Sequence, residues 1–259
     1  MTKSFIFTVD DNIRFLKELT NEKYDSLFAH PYMAMYKRLH EEFGIKVQLN
    51  LFYLSDGFDL SEMSDRFIAE WRENSDWLKL SFHSKTENRH PYITAPYSEM
   101  YADCDATNRE ILRFAGVDTL AKTTTIHYCD ATKDGIRALA DCKTTGLLGL
   151  FGTPDDKRTS YELDEESGDK IRNGGEVLLG EMFFSGIDII LNKYATEEIL
   201  YRLDCLKQRE VVKVMIHEQY FYSDYHAYQK DFEQKLFATF SKLTSDGRKS
   251  AFFEEIIKK

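Results

Sequence analysis

Ser4-Phe5-Ile6-Phe7-Thr8-Val9-Asp10-Asp11-Asn12 places two adjacent acids at the end of an unbroken apolar, β-prone run. Continuous Phe, Ile and Val over this length is the pattern of a buried strand. Side chains alternate along a strand, so where the strand passes into a loop one acid can hold a metal while its neighbour aims at water or substrate. The competing reading is a cap: Asp and Asn bond local backbone groups well and would start a turn or a helix.

Outward from this strand, apolar β-rich runs alternate with helical patterns. Residues 31–43 carry Met33, Tyr36, Leu39, His40 and Phe43 at helical spacing, and Gly44 supplies the stop. A strand is expected at 45–54, a helix at 62–74, a strand at 77–82, a helix at 99–115, a strand at 123–127 and a helix at 133–142. Residues 146–152 form a short apolar strand, whereas 153–175 are polar, charged and turn-rich, as a loop or small hairpin insertion would be. One or two strands are expected within 177–191, a helix at 196–210, a strand at 211–216 and a last long helix at 225–243. Strands alternating with helices of about 10 to 15 residues indicate parallel strands joined by crossover helices.

The 259 residues suit one large domain, since α/β barrels run to this size as a single unit, and a single domain across 1–259 is expected. A net charge of -10 argues against nucleic acid as partner, because neutralising phosphates takes clustered Lys and Arg. No stretch of about 18 or more apolar residues is present to span a membrane. Cys104, Cys129, Cys142 and Cys205 are scattered without Cys-x-x-Cys spacing, so buried reduced thiols are expected in place of a zinc knuckle or redox pair. The first strand reaches the acids by residue 10, leaving no room for a secretory leader in the chain as given, so a cytoplasmic location is expected.

Polar landmarks sit at the carboxyl ends of successive strands: Asp10 and Asp11, then His83, His127 and His217. Barrel active sites collect there. An open doubly wound sheet would instead bind its ligand at one switch point, usually beside a glycine-rich first turn, and the first turn here, Asp10-Asp11-Asn12-Ile13-Arg14, has no glycine.

These residues resemble the polysaccharide deacetylases with a NodB-like domain, within the wider glycoside hydrolase/deacetylase barrel group. Thr8-Val9-Asp10-Asp11-Asn12 is similar to the opening motif Thr-Phe-Asp-Asp-Gly. The resemblance implies that Asp10 is the general base and Asp11 a metal ligand. His83-Ser84-Lys85-Thr86-Glu87 is similar to His-(Ser/Thr)-x-x-His, with Glu87 where the second metal-binding His stands. The metal set so implied is Asp11, His83 and Glu87, with His90 as the alternative third ligand. The third motif, Arg-Pro-Pro-Tyr, faces Ile126-His127-Tyr128-Cys129-Asp130, so its Arg is missing and His127 is the candidate to orient Asp10 or contact substrate. The aspartate and tryptophan motif has no clear counterpart. Met215-Ile216-His217 is similar to the final Leu-x-His and implies that His217 is the general acid.

The fold implied is a distorted seven-stranded (β/α) barrel, and the activity is metal-assisted removal of an N-acetyl group from a sugar or polysaccharide precursor. The cofactor implied is a divalent metal, zinc first. Tyr220 and Tyr222, in the cluster Tyr220-Phe221-Tyr222, would offer a platform for sugar rings or else pack the last helix. Two other readings stand beside this one: a catalytically degenerate barrel that binds carbohydrate, and a metal-independent glycosidase using paired carboxylates such as Asp10 and Glu218. Oligomeric state is not legible.

Overall fold

The computed structural model describes residues 3–55, 57–87, 92–152 and 158–257. In chain order, β1 (Ser4–Asn12) leads through α1 (Arg14–Asn21) and α2 (Pro31–Phe43) to β2 (Val47–Ser55), β3 (Phe58–Asp59), α3 (Ile68–Glu73) and β4 (Leu78–Thr86). Next come α4 (Tyr97–Phe114), β5 (Thr123–Thr124), α5 (Lys133–Asp141), β6 (Gly146–Gly149), α6 (Glu165–Arg172), β7 (Val177–Leu179), β8 (Met182–Gly186) and β9 (Ile189–Ile190). The chain closes with α7 (Thr196–Cys205), β10 (Val211–His217), α8 (Phe232–Ser245), β11 (Lys249–Ser250) and α9 (Phe253–Ile256).

One sheet runs β3-β2-β1-β10-β9, with β4 on β2 and β11 on β1, and a second runs β5-β6-β8-β7. Pairing is parallel except in the β2-β3 and β7-β8 hairpins. The sheets approach along two seams. At one, Leu80 of β4 bridges Leu120, ahead of β5. At the other, between β8 and β9, the Ile187 N–H donates to the Gly149 carbonyl beside β8 and the Asp188 N–H to the Lys213 carbonyl of β10, each at 2.9 Å. The result is the mixed α/β, (β/α)-barrel arrangement expected, built as two sheets and not as one continuously bonded ring.

Period-2 alternation explains which residues face which way. Along β1, Phe5, Phe7 and Val9 join the main core, where Phe240 of α8 meets Phe5 at 5.7 Å and Phe7 at 4.8 Å between ring centroids. Burying each such ring contributes about 1.5–3 kcal/mol. Ile6, Thr8 and Asp10, on the opposite side, are buried too. The same alternation along β2 sends Val47, Leu49 and Leu51 to the core and leaves Gln48 and Asn50 in a buried polar interior. There Gln48, Asn50, Ser81, Thr123 and Thr124 share one hydrogen-bond network.

The 31–43 helix ends at Gly44 with φ 63°, a left-handed conformation that favours glycine. Elsewhere tertiary contacts override the pattern. The helix expected at 62–74 shrinks to α3, because Asp59 caps a separate 3₁₀ turn at Leu60–Glu62. In the stretch expected to be a loop or hairpin, α6 forms with Asp164 accepting from the Ser167 N–H at 2.7 Å; residues 153–157 of that stretch lie outside those described. The strand expected at 123–127 stops at Thr124. Among the described residues, no helix is long and apolar enough to cross a membrane.

Candidate active site

The acidic pair sits on a β-bulge. Val9 aligns with Leu49 and Asn12 with Leu51, so β1 has one residue more than β2 over this span. Asp11 absorbs the extra residue at φ 62°, a left-handed conformation that Asp tolerates better than most side chains and that costs energy unless the surroundings hold it. The strict alternation of strand side chains is thereby broken, and both carboxylates line one cavity. A second bulge lies at His83: Leu51 pairs with Phe82 and Phe52 with Ser84, leaving His83 as the extra residue of β4. Bulges re-aim side chains next to functional sites.

Three donor atoms meet there. His83 Nε2 lies 3.1 Å from Asp11 Oδ1, His127 Nδ1 lies 3.3 Å from the same oxygen, and the two histidine nitrogens are 3.2 Å apart. Ligands held at about 2.0–2.1 Å around a tetrahedral zinc are roughly 3.3 Å from one another, so the triangle has the dimensions of one face of such a site. Every outer atom is already engaged. His83 Nδ1 faces the Thr125 carbonyl at 2.5 Å, His127 Nε2 faces the Glu87 carbonyl at 3.1 Å, and Gln219 Nε2 donates to Asp11 Oδ2 at 2.8 Å. Backbone carbonyls that take the far N–H leave the near nitrogen's lone pair for a metal. Among the described residues, Asp11, His83 and His127 are the group able to hold a metal ion.

Electrostatics tie the group together. Burial pushes Asp11 up, but hydrogen bonds with His127 and His83 outweigh it and hold the carboxyl well below the usual carboxylate range. Burial disfavours the charged form of His83, and the neighbouring Asp10 and Asp11 more than reverse that, raising it.

Asp10 is 2% exposed, and burial pushes its carboxyl up, against lowering by His83 and His217. Asn50 of the adjacent strand donates through Nδ2 to Asp10 Oδ1 at 2.6 Å. His217 aligns with Asp10 across the β1-β10 pairing and bonds Asn192 Oδ1 through Nδ1 at 2.8 Å, which leaves Nε2 for the cavity. Asn50, Asn192 and Gln219 were not singled out from the sequence. Gln48 and Asn50 did carry a signal: amides on alternate positions of an otherwise apolar strand imply a polar interior.

The cavity has two lobes that share Asp11, His127, Tyr128 and Gln219. One, of about 490 Å³, reaches toward Ile13, Arg14 and Tyr225. The other, of about 290 Å³, contains Asp10, His83, His217 and Tyr220.

The structure brings some of the expected site residues together and keeps others apart. Glu87 is exposed and stands outside the donor group, where His127, expected to touch substrate, takes the third place; the site draws on Glu87 through its backbone carbonyl. His90 lies outside the described residues. Tyr220 lines the cavity, but Tyr222 is 7% exposed and packs inward, donating to Glu218 Oε1 at 3.1 Å under the Arg14 guanidinium. Glu218 is no free acid. Its carboxylate accepts the N–H groups of Ile13, Arg14 and Phe15 at 2.7, 3.0 and 2.8 Å, neutralising the start of α1. Burial pushes its pKa up to about 7, against lowering by those backbone donors. Both of its oxygens are engaged in the fold, and the residue borders the larger lobe.

Solved structures resemble this architecture. A family 4 acetyl xylan esterase from Clostridium thermocellum, in complex with a cobalt ion, superposes with a TM-score of 0.56 at 11% identity over 98% of this chain and 90% of that one. A Mycobacterium smegmatis protein assigned to the polysaccharide deacetylases gives 0.57 at 11% identity over 99% and 90%. A CE4-family pseudoenzyme from Bacillus anthracis gives 0.53 at 11% identity over 99% of this chain and 66% of that one. No protein-family model matches the chain, and no curated protein matches it. The fold is therefore one that carbohydrate deacetylases of family 4 adopt, and a 4-alpha-glucanotransferase from Thermococcus litoralis shares it, with a TM-score of 0.59 at 14% identity over 98% of this chain and 40% of that one.

Proposed function

We propose that the protein is a metal-dependent hydrolase that removes an N-acetyl group from a sugar. The observation that carries this reading is the triangle of Asp11, His83 and His127 donor atoms opening into the cavity that also holds Asp10 and His217. Those three residues would hold a divalent ion, with zinc the first choice for a mixed imidazole and carboxylate set. Bound there, the ion would polarise the amide carbonyl and make a water more acidic.

Asp10, steadied by Asn50, takes the proton from the attacking water as its oxygen bonds to the acetyl carbon. The carbon–nitrogen bond then breaks, and His217, oriented by Asn192, protonates the leaving amine, giving acetate and the free amino sugar. The cobalt ion reported with the acetyl xylan esterase supports a metal in this architecture. The Bacillus anthracis pseudoenzyme represents the other outcome, a barrel that keeps the fold without turnover.

The test is metal content by elemental analysis of wild type and His83→Ala, with acetate release from N-acetylated sugars on the same samples, before and after chelation and re-addition of zinc. Near-stoichiometric metal lost in the variant, with zinc-restored acetate release, supports the enzyme. Bound metal without acetate release supports the binding barrel. A wild type that neither carries nor takes up a divalent ion overturns the metal site.

A further inference from the structure

Resting on the deacetylase reading above, we propose that the sugar it takes is anionic, bearing a phosphate or carboxylate that Arg158 and Lys193 recognise. The lobe that holds His217 must hold the leaving amine, and so the sugar ring. In that lobe Arg158 and Lys193 are the residues with permanent positive charge, alongside Asp10 and Asp11, on a chain whose net charge is -10. The other lobe offers Arg14, but its guanidinium is spent on Asp224 at 2.7 Å and Glu18 at 3.3 Å. Neither Arg158 nor Lys193 enters an ion pair among the described residues.

Both cations have exposed side chains on backbone that the fold holds. Arg158 donates through Nη2 to the Tyr128 carbonyl at 2.6 Å, which leaves further N–H donors of its five for an anion. Its backbone is clamped from α6: Arg172, with a side chain 3% exposed, donates through Nη1 to the carbonyls of Phe151 at 2.9 Å and Arg158 at 3.1 Å. Lys193 ends the 3₁₀ turn Leu191–Lys193, directly after the Asn192 that orients His217. Gln229 pins that turn by donating to the Asn192 carbonyl at 2.7 Å. A fork and a point charge from two segments lining one lobe suit an oxyanion with several acceptor oxygens.

The experiment compares the zinc-loaded protein on matched sugars: N-acetylglucosamine, its 6-phosphate and 1-phosphate, and the corresponding uronic acid. Both kcat/KM for acetate release and affinity by calorimetry are measured, for wild type, Arg158→Ala, Lys193→Ala and Lys193→Glu. The expected result is a charged sugar favoured over the neutral one by tenfold or more, a preference that falls about tenfold in either alanine variant and inverts in Lys193→Glu. The phosphate and uronate arms distinguish the source of the anion. Tighter binding of a charged sugar that depends on both cations, without acetate release, keeps the anion site and removes the deacetylase reading. Turnover of the neutral sugar that equals or exceeds that of every charged one overturns the anion site and leaves the deacetylase standing. Neither turnover nor charge-dependent binding overturns both.

Discussion

His127 Nδ1 stands 3.2 Å from His83 Nε2 although 44 residues of chain separate them. Two ring nitrogens at that distance can share one proton or one metal ion, and Asp11 Oδ1 completes the triangle at 3.1 and 3.3 Å.

That relationship is the ground for proposing His127, and not Glu87, as the third ligand. His127→Ala is expected to lower zinc affinity by about 100-fold or more, while Glu87→Gln, which keeps the backbone carbonyl facing His127, leaves it within a few-fold of wild type. Calorimetric zinc titration of the two variants checks this, and the opposite order would return the ligand role to Glu87.

Asp10→Asn is expected to retain metal and lose about 10²–10⁴ in kcat, the usual contribution of a positioned general base. Asn50→Ala, which removes the 2.6 Å donor to Asp10, is expected to lower kcat by about tenfold through misplacement. Acetate-release kinetics on samples of matched zinc content read both.

Asn192 acts through His217, whose Nδ1 it meets at 2.8 Å. Asn192→Ala is expected to cut kcat by about tenfold or more with KM little changed, and Asn192→Asp, which restores an acceptor at the same place, to recover most of it. A KM rise at constant kcat would assign Asn192 to substrate binding instead.

Glu218 is a stability residue. Glu218→Ala strips the acceptor from the N–H groups of Ile13, Arg14 and Phe15 and from the Tyr222 hydroxyl. Urea unfolding is expected to show a loss of about 2–4 kcal/mol, from buried donors left without partners. Folded Glu218→Ala with unchanged stability but no turnover would point to chemistry at this carboxyl.

Much of the architecture was legible because it is local. The apolar run of β1, the helical spacing of 31–43 with its Gly44 stop, and the alternation of strands with helices all reflect periodicities of 2 and 3.6 that neighbouring residues impose on each other. That Asp10, Asp11, His83 and His217 end or flank strands could be read the same way. The α1 helix was legible only as one of two alternatives after the acidic pair, and its cap, Glu218, more than 200 residues along the chain, was not.

The order of most elements, the polar strand ends and the candidates for chemistry are written along the chain, because each rests on patterns within a few residues. Which candidates meet is settled by the packing of strands far apart in the chain. Two bulges, at Asp11 and His83, re-aim side chains that simple alternation would have sent apart. A 3₁₀ turn at His127–Cys129, with Tyr128 at φ 62°, brings in a histidine from another strand end to the place the motif spacing assigns to Glu87. Spacing along the chain says which residues share a face, but distances between strands depend on register, bulges and backbone conformation that the whole fold holds in place.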